Sequence, residues 1–234
     1  MTTRHRFVCA ATAVVTMKFG LVGLAHTQGT PRQTDVDHGA IIAAQGVGGA
    51  PACAQCHAFN GGSDGSGAFP RIATQSNSYL AQQLRAFASG VRANAVMSPI
   101  AKALSEDDIA DVAAYYAGVN APYLPLAKPA LALIQHGEQL AKVGNAAKDL
   151  QACDNCHGPG GAGQPPAIPY LAGQYSQYIT FELRMWQLDY RKNSQDVMSK
   201  IAGKLDDQDI AALAAYYQQI VGIEQTRALQ QEMR

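Results

Sequence analysis

The sequence predicts an all-α fold made of two tandem, homologous domains. Three observations predict it. One order of motifs occurs twice, at an offset that drifts only between 98 and 101 residues. Each copy holds segments whose apolar residues recur at spacings of three and four, the period of a helix face. No sustained period-two alternation, the mark of a half-buried strand, occurs in the chain.

The repeat begins with His38-Gly39, which returns as His136-Gly137, and continues with Ala52-Cys53-Ala54-Gln55-Cys56-His57, which returns as Ala152-Cys153-Asp154-Asn155-Cys156-His157. Pro70 to Gln75 matches Pro169 to Gln174, Leu84-Arg85 matches Leu183-Arg184, and Val96-Met97-Ser98 matches Val197-Met198-Ser199. Asp108-Ile109-Ala110 with Ala113 to Tyr116 matches Asp209-Ile210-Ala211 with Ala214 to Tyr217. A duplicated pattern in one order marks a tandem duplication.

In chain order, the first segment reads as an export signal over residues 1–25. Arg4, His5 and Arg6 form a positive n-region, an apolar run comes next, and Gly23-Leu24-Ala25 supplies the small residues of a cleavage site. Lys18 divides the run into pieces too short for the roughly 20 helical residues of a membrane span. A retained N-terminal anchor is the alternative. Residues 33–118 form the first domain, 119–130 a linker containing Pro122, Pro125 and Pro129, 131–222 the second domain and 223–234 a tail.

Within each domain the helices are set by periodicity. His38 to Gln45 carries a short apolar stripe, Ser78 precedes a segment with Leu80, Leu84 and Phe87 on one face, and Ser176, Ile179, Leu183 and Trp186 repeat that arrangement. The closing helices start at Ser105 with Asp108 and at Asp206 with Asp209, capping-box-like pairs. Ile109, Val112, Ala113 and Tyr116 then share a face, as do Ile210, Leu213, Ala214 and Tyr217. Gly61 to Gly67 and Gly158 to Gly163 read as loops.

The chemistry lies in the two Cys-x-x-Cys-His motifs. C-x-x-C-H is the attachment signature of c-type haem: each thiol adds to one vinyl group, and the adjacent His57 or His157 reaches the iron. Zinc, a redox dithiol and a disulfide are the alternatives. Zinc needs four ligands where each copy offers three, and a thioredoxin-like site needs a βαβ pattern that this chain lacks.

The sixth iron ligand separates a carrier from a catalyst, because a His/Met pair fills the iron and raises its potential. Met97 stands 40 residues after His57 and Met198 stands 41 after His157, each after a valine in a polar segment before the last helix. His38 and His136 are the rival ligands. Their neighbours Gly39 and Gly137 suggest instead a close helix crossing with Tyr116 or Tyr217. Arg92 and Arg191 are matched too; a solvated side chain is the expected state of each, with a propionate or interdomain contact as alternatives.

These motifs, the Pro169 to Gln174 stretch with its looser copy at Pro70 to Gln75, and the Met segments before Tyr-Tyr helices resemble the dihaem class I cytochromes c, specifically the cytochrome c4 family, over about residues 36–222. The resemblance implies two class I cytochrome c-like domains with two covalently bound haem c groups. It also implies that the carbonyls of Pro70 and Pro169 accept a hydrogen bond from the proximal histidines. The implied role is that of a periplasmic electron carrier, not an enzyme, passing single electrons between redox partners such as a quinol-oxidising complex and a terminal oxidase, with loose association with the inner membrane a further expectation. A cytochrome subunit of a membrane-associated dehydrogenase and a dihaem peroxidase are the rival readings.

Charge excludes one class of partner. Lysine plus arginine equals aspartate plus glutamate at 18 each, so the basic footprint of nucleic-acid binding is missing. Loss of residues 1–25 would leave 15 positive and 18 negative side chains, a net of −3 split −2 and −1 between residues 26–118 and 119–234. So small an asymmetry identifies no docking face.

Overall fold

The computed structural model describes residues 33–124 and 126–221, together with Met1; the expected signal segment with Cys9, Pro125 and the tail at 223–234 lie outside the described residues. The first domain has helices α1 (Val36–Gln45), α2 (Ala54–His57), α3 (Asn77–Ser89), α4 (Met97–Lys102) and α5 (Glu106–Gly118). The second repeats them as α6 (Leu131–Lys142), α7 (Asp154–His157), α8 (Ser176–Gln187), α9 (Val197–Ala202) and α10 (Asp207–Gln219). Among the described residues β-structure is limited to isolated bridges, so the all-α expectation holds.

The closing helices start where the sequence places them. The Ser105 hydroxyl accepts from the Asp108 amide (3.1 Å) and the Asp108 carboxylate accepts from the Ser105 amide (2.9 Å). Asp206 and Asp209 form the same reciprocal box, and acids in the first turns of α5 and α10 complement the helix dipole. α3 begins earlier than expected. Its cap is Ser76, whose hydroxyl accepts from the Tyr79 amide, and Ser78 lies inside the helix.

Each core is built on one helix crossing. α1 packs on α5 and α6 on α10, burying Ile42 and Ala43 against Val112, Tyr115 and Tyr116, and Leu140 and Ala141 against Ile210, Leu213, Ala214, Tyr216 and Tyr217. The predicted glycine crossing exists, but its tyrosine is corrected by one residue. A Cβ on Gly39 would strike the Asp111 carbonyl and touch the Tyr115 Cβ, and one on Gly137 would strike the Ala212 carbonyl and the Tyr216 Cβ. Successive helix residues point about 100° apart, so Tyr116 and Tyr217 face a different neighbour, the glycine of the haem-motif loop. His38 Nδ1 pairs with the fully buried Asp111 (2.8 Å), and His136 Nε2 pairs with Asp209 (2.9 Å).

The segment between α5 and α6 has no helix or strand among its described residues, and it is pinned rather than merely stiffened by prolines. The Arg71 guanidinium donates to the carbonyls of Ala121 (2.6 Å) and Pro122 (3.3 Å) and stacks over the Tyr123 ring at 4.4 Å.

The two domains meet along a seam in which matched residues exchange bonds. The Gln174 side chain accepts from the Arg71 amide (3.0 Å) and donates to its carbonyl (2.8 Å); Gln75 accepts from the Tyr170 amide (3.3 Å) and donates to its carbonyl (3.1 Å). Here Arg92 and Arg191 overturn their solvated expectation: they are 4% and 7% exposed, and their backbones face each other as an antiparallel bridge. The Glu182 carboxylate receives Arg92 at 2.5 Å and Arg191 at 2.6 Å. Such a cluster tolerates burial because each charge is met by the opposite sign and by further hydrogen bonds.

Candidate haem-binding sites

Each Cys-x-x-Cys-His motif forms one tight helical turn. Cys53 precedes α2 and its carbonyl accepts from the His57 amide (2.9 Å); Cys153 does the same for His157 (2.9 Å). The first and second cysteines of each motif are therefore on consecutive parts of one turn, with the histidine at its end. All four thiols are free and half-buried, and Cys53 and Cys153 lie against the two cores. Burial raises the thiol pKa of Cys53 and pushes that of Cys153 up to about 11.

Both histidines are held through one nitrogen. His57 Nδ1 lies 3.2 Å from the Pro70 carbonyl oxygen and His157 Nδ1 lies 2.9 Å from that of Pro169. A carbonyl can only accept, so Nδ1 carries the proton and Nε2 keeps its lone pair; no residue among those described hydrogen-bonds Nε2. Burial lowers both histidine pKa values and outweighs the opposing proline carbonyls, which keeps the rings neutral. A neutral imidazole with a fixed tautomer and a free Nε2 is the form that binds iron.

The chain's own folding sets that geometry. Gly61 and Gly161, at φ of 74° and 75°, accept from the amides of Ile72 (2.8 Å) and Leu171 (2.7 Å), which brings the proline segments back beside the histidines. A Cβ on Gly61 would come within 3.0 Å of the Tyr116 ring, and one on Gly161 within 2.7 Å of the Tyr217 ring. These tyrosines therefore close over the loop glycines instead of the helix crossings. Their backbone carbonyls accept from the amides of Thr74 (3.0 Å) and Gly173 (2.8 Å), closing the loop on the last helix.

Met97 and Met198 are half-buried and stand first in α4 and second in α9, helices that pack on α3 and α8. Each methionine thus lies in a short helix just before the last helix of its domain. The Met97 amide donates to the Asn94 carboxamide (2.8 Å) and the Met198 amide to the Ser194 hydroxyl (3.1 Å). The structure thus gathers Cys53, Cys56, His57 and Pro70 into one group and Cys153, Cys156, His157 and Pro169 into another. The methionines stand on separate elements, with no hydrogen bond to either histidine.

These residues fit covalent haem: two free thiols on one turn beside a neutral, oriented imidazole, twice in one chain. Zinc is less well served, since no group of three or more His, Cys, Asp and Glu side chains among the described residues converges on one point. Sequence reasoning missed the seam residues Gln75, Gln174, Gln83, Glu182, Tyr79 and Tyr178. The signal was present, because Tyr79 and Tyr178, like Gln83 and Glu182, share the offset of Arg92 and Arg191.

A doubled helical domain, each copy holding one such turn, defines a dihaem class I cytochrome c. The family model described as cytochrome c matches residues 42–119, and the one described as cytochrome c oxidase, cbb3-type, subunit III matches residues 140–216. Cytochrome c4 of Pseudomonas aeruginosa is 35% identical over 86% of this chain and 94% of its own. The thiosulfate dehydrogenase electron acceptor of Stutzerimonas stutzeri is 37% identical over 72% of this chain and 78% of its own. Among solved structures, reduced cytochrome c4 from Pseudomonas stutzeri superposes with a TM-score of 0.71 at 28% identity, covering 80% of this chain and all of that one. Thiosulfate dehydrogenase (TsdBA) from Marichromatium purpuratum gives 0.72 at 38% identity over 79% of this chain, which spans only 40% of that larger one.

The chain belongs to the cytochrome c4 family: it is an electron carrier with two covalently attached haem c groups.

Proposed function

We propose that the protein is a periplasmic shuttle, delivered by cleavage of the signal at residues 1–25, that takes up and releases single electrons at two irons each held between a histidine and a methionine. The ligand sets are His57 with Met97 and His157 with Met198; the haems are attached through Cys53 and Cys56 and through Cys153 and Cys156, with Pro70 and Pro169 orienting the histidines. The domains are 33–118 and 131–222, joined by 119–130. The observation that carries the reading is the paired geometry of a neutral histidine whose Nδ1 is committed to a proline carbonyl.

The rival histidines support it too: His38 and His136 are tied to Asp111 and Asp209 at the α1–α5 and α6–α10 crossings. A histidine and a methionine on each iron would leave no ligand position for a substrate, which argues against a peroxidase. No described helix is long and apolar enough to cross a membrane.

Met97→Ala is expected to lower the reduction potential of the first haem alone, and Met198→Ala that of the second, as read by redox titration. Unchanged potentials and spectra in both variants would refute the ligand assignment.

Two donors are compared directly. A quinol-oxidising respiratory complex fits the shuttle reading. Thiosulfate dehydrogenase fits a second reading, supported by two relatives named as its electron acceptor, 37% and 36% identical to this chain. Stopped-flow reduction of the matured protein by each donor decides between them, and the faster donor at equal concentration identifies the partner class.

A further inference from the structure

The seam between the domains holds a buried charge cluster that electron carriage alone does not require. Arg92 comes from the first domain; Glu182 and Arg191 come from the second. Arg92 donates to Gln83 (3.0 Å), to the Tyr178 hydroxyl (2.7 Å) and to Glu182. Arg191 donates to the Tyr79 hydroxyl (3.0 Å), to Gln83 (3.1 Å) and to Glu182. The guanidinium of Arg92 lies over Phe87 at 4.4 Å and that of Arg191 over Trp186 at 4.5 Å. Each arginine thus reaches across to the other domain's tyrosine, and one carboxylate serves both.

The cluster gains its role from the two segments that leave it toward the methionines. The Ala93 amide donates to the Tyr190 carbonyl (3.2 Å) and the Lys192 amide to the Val91 carbonyl (2.9 Å), so these segments are paired with each other across the seam. From Arg92 the chain runs two residues to Asn94, whose carboxamide receives the Met97 amide. From Arg191, whose Nε donates to Asn193 (3.1 Å), it runs three residues to Ser194, whose hydroxyl receives the Met198 amide. Asn193 also donates to Gln83 of the first domain (2.8 Å). The two methionine segments therefore start from one shared, rigid anchor.

We propose that Arg92, Glu182 and Arg191 are positioning residues that hold the methionine segments of both haem sites at once, so that a change in one domain's arginine is felt at the other domain's iron. This coupling rests on the His/Met ligand reading. The fixed fork of an arginine makes several directed bonds that the single ammonium of lysine cannot reproduce. Arg92→Lys therefore keeps the charge and loses the geometry.

The test is made on the matured full-length protein in a Met97→Ala background, where any remaining methionine-to-iron charge-transfer band in the near infrared belongs to the second haem. Arg92→Lys, a change in the first domain, is expected to weaken that band and to shift the second haem's potential downward. Arg191→Lys in a Met198→Ala background is expected to do the same at the first haem. Arg85→Lys, at the exposed pair with Glu106, is the control that moves neither. If Arg92→Lys yields no folded protein, Glu182→Gln replaces it, since Gln83 shows that the matched position accepts an amide. Its expected effect is a weaker band at the second haem in the Met97→Ala background and at the first haem in the Met198→Ala background.

A band and potential of the second haem that ignore both Arg92→Lys and Glu182→Gln would overturn the coupling. Failure of the ligand reading looks different: Met198→Ala alone would then leave the second haem's band in place.

Discussion

At the residue scale, the haem turns were legible because their chemistry demands residue types at fixed spacing. Two thiols and an imidazole must share one helical turn, and that requirement is written in five consecutive positions. The supporting residues are harder to read. Thr74 occupies a left-handed conformation, φ 59°, where its counterpart Gly173 sits at 68°. A β-branched residue there is strained by roughly 1–2 kcal/mol, so Thr74→Gly is expected to stabilise the protein by about 1 kcal/mol, read as a higher denaturant midpoint. The reverse change, Gly173→Thr, is expected to destabilise it, because a Cβ at that position would press into the Tyr123 ring.

At the element scale, long amphipathic helices and their caps could be read from sequence, and short ones could not. The Ser105 and Asp206 boxes announced α5 and α10, whereas α4 and α9 have six residues each, too few for a 3.6-residue period to show. The helix crossing was anticipated from His-Gly repeats, but its partner was placed one residue off, since sequence order does not fix which way a tyrosine pair turns. The crossing now carries its own prediction. Gly39→Ala and Gly137→Ala force a methyl into a facing backbone carbonyl, and each is expected to cost about 1–3 kcal/mol, measured as a lowered thermal midpoint with haem content unchanged.

At the scale of the whole molecule, duplication was plain from the repeat, and the seam it creates was not. Seam residues are polar, and a buried polar interface leaves no hydrophobic period to detect; Arg92 and Arg191 therefore read as solvated until the domains were seen together. Glu182 gives the seam a pH dependence. Burial alone would raise its carboxyl pKa, yet Arg92 and Arg191 outweigh that and hold it below the usual carboxylate range. A group with a depressed folded pKa stabilises fully above its unfolded value, about 4.3 for glutamate, and loses that contribution as pH falls through the folded value. The stability difference between the wild type and Glu182→Gln is thus expected to be constant from neutral pH down to about 4.3 and to shrink below it. A difference that grows on acidification would contradict this.

The central claim is that one chain carries two irons, each held by one histidine and one methionine. Reductive titration of the matured protein, monitored at the methionine-to-iron band, tests it most directly. The expected result is two electrons taken up per chain and a band that falls by half in Met97→Ala, by half in Met198→Ala, and disappears in the double variant. Uptake of a single electron per chain, or a band that survives the double substitution, would contradict it.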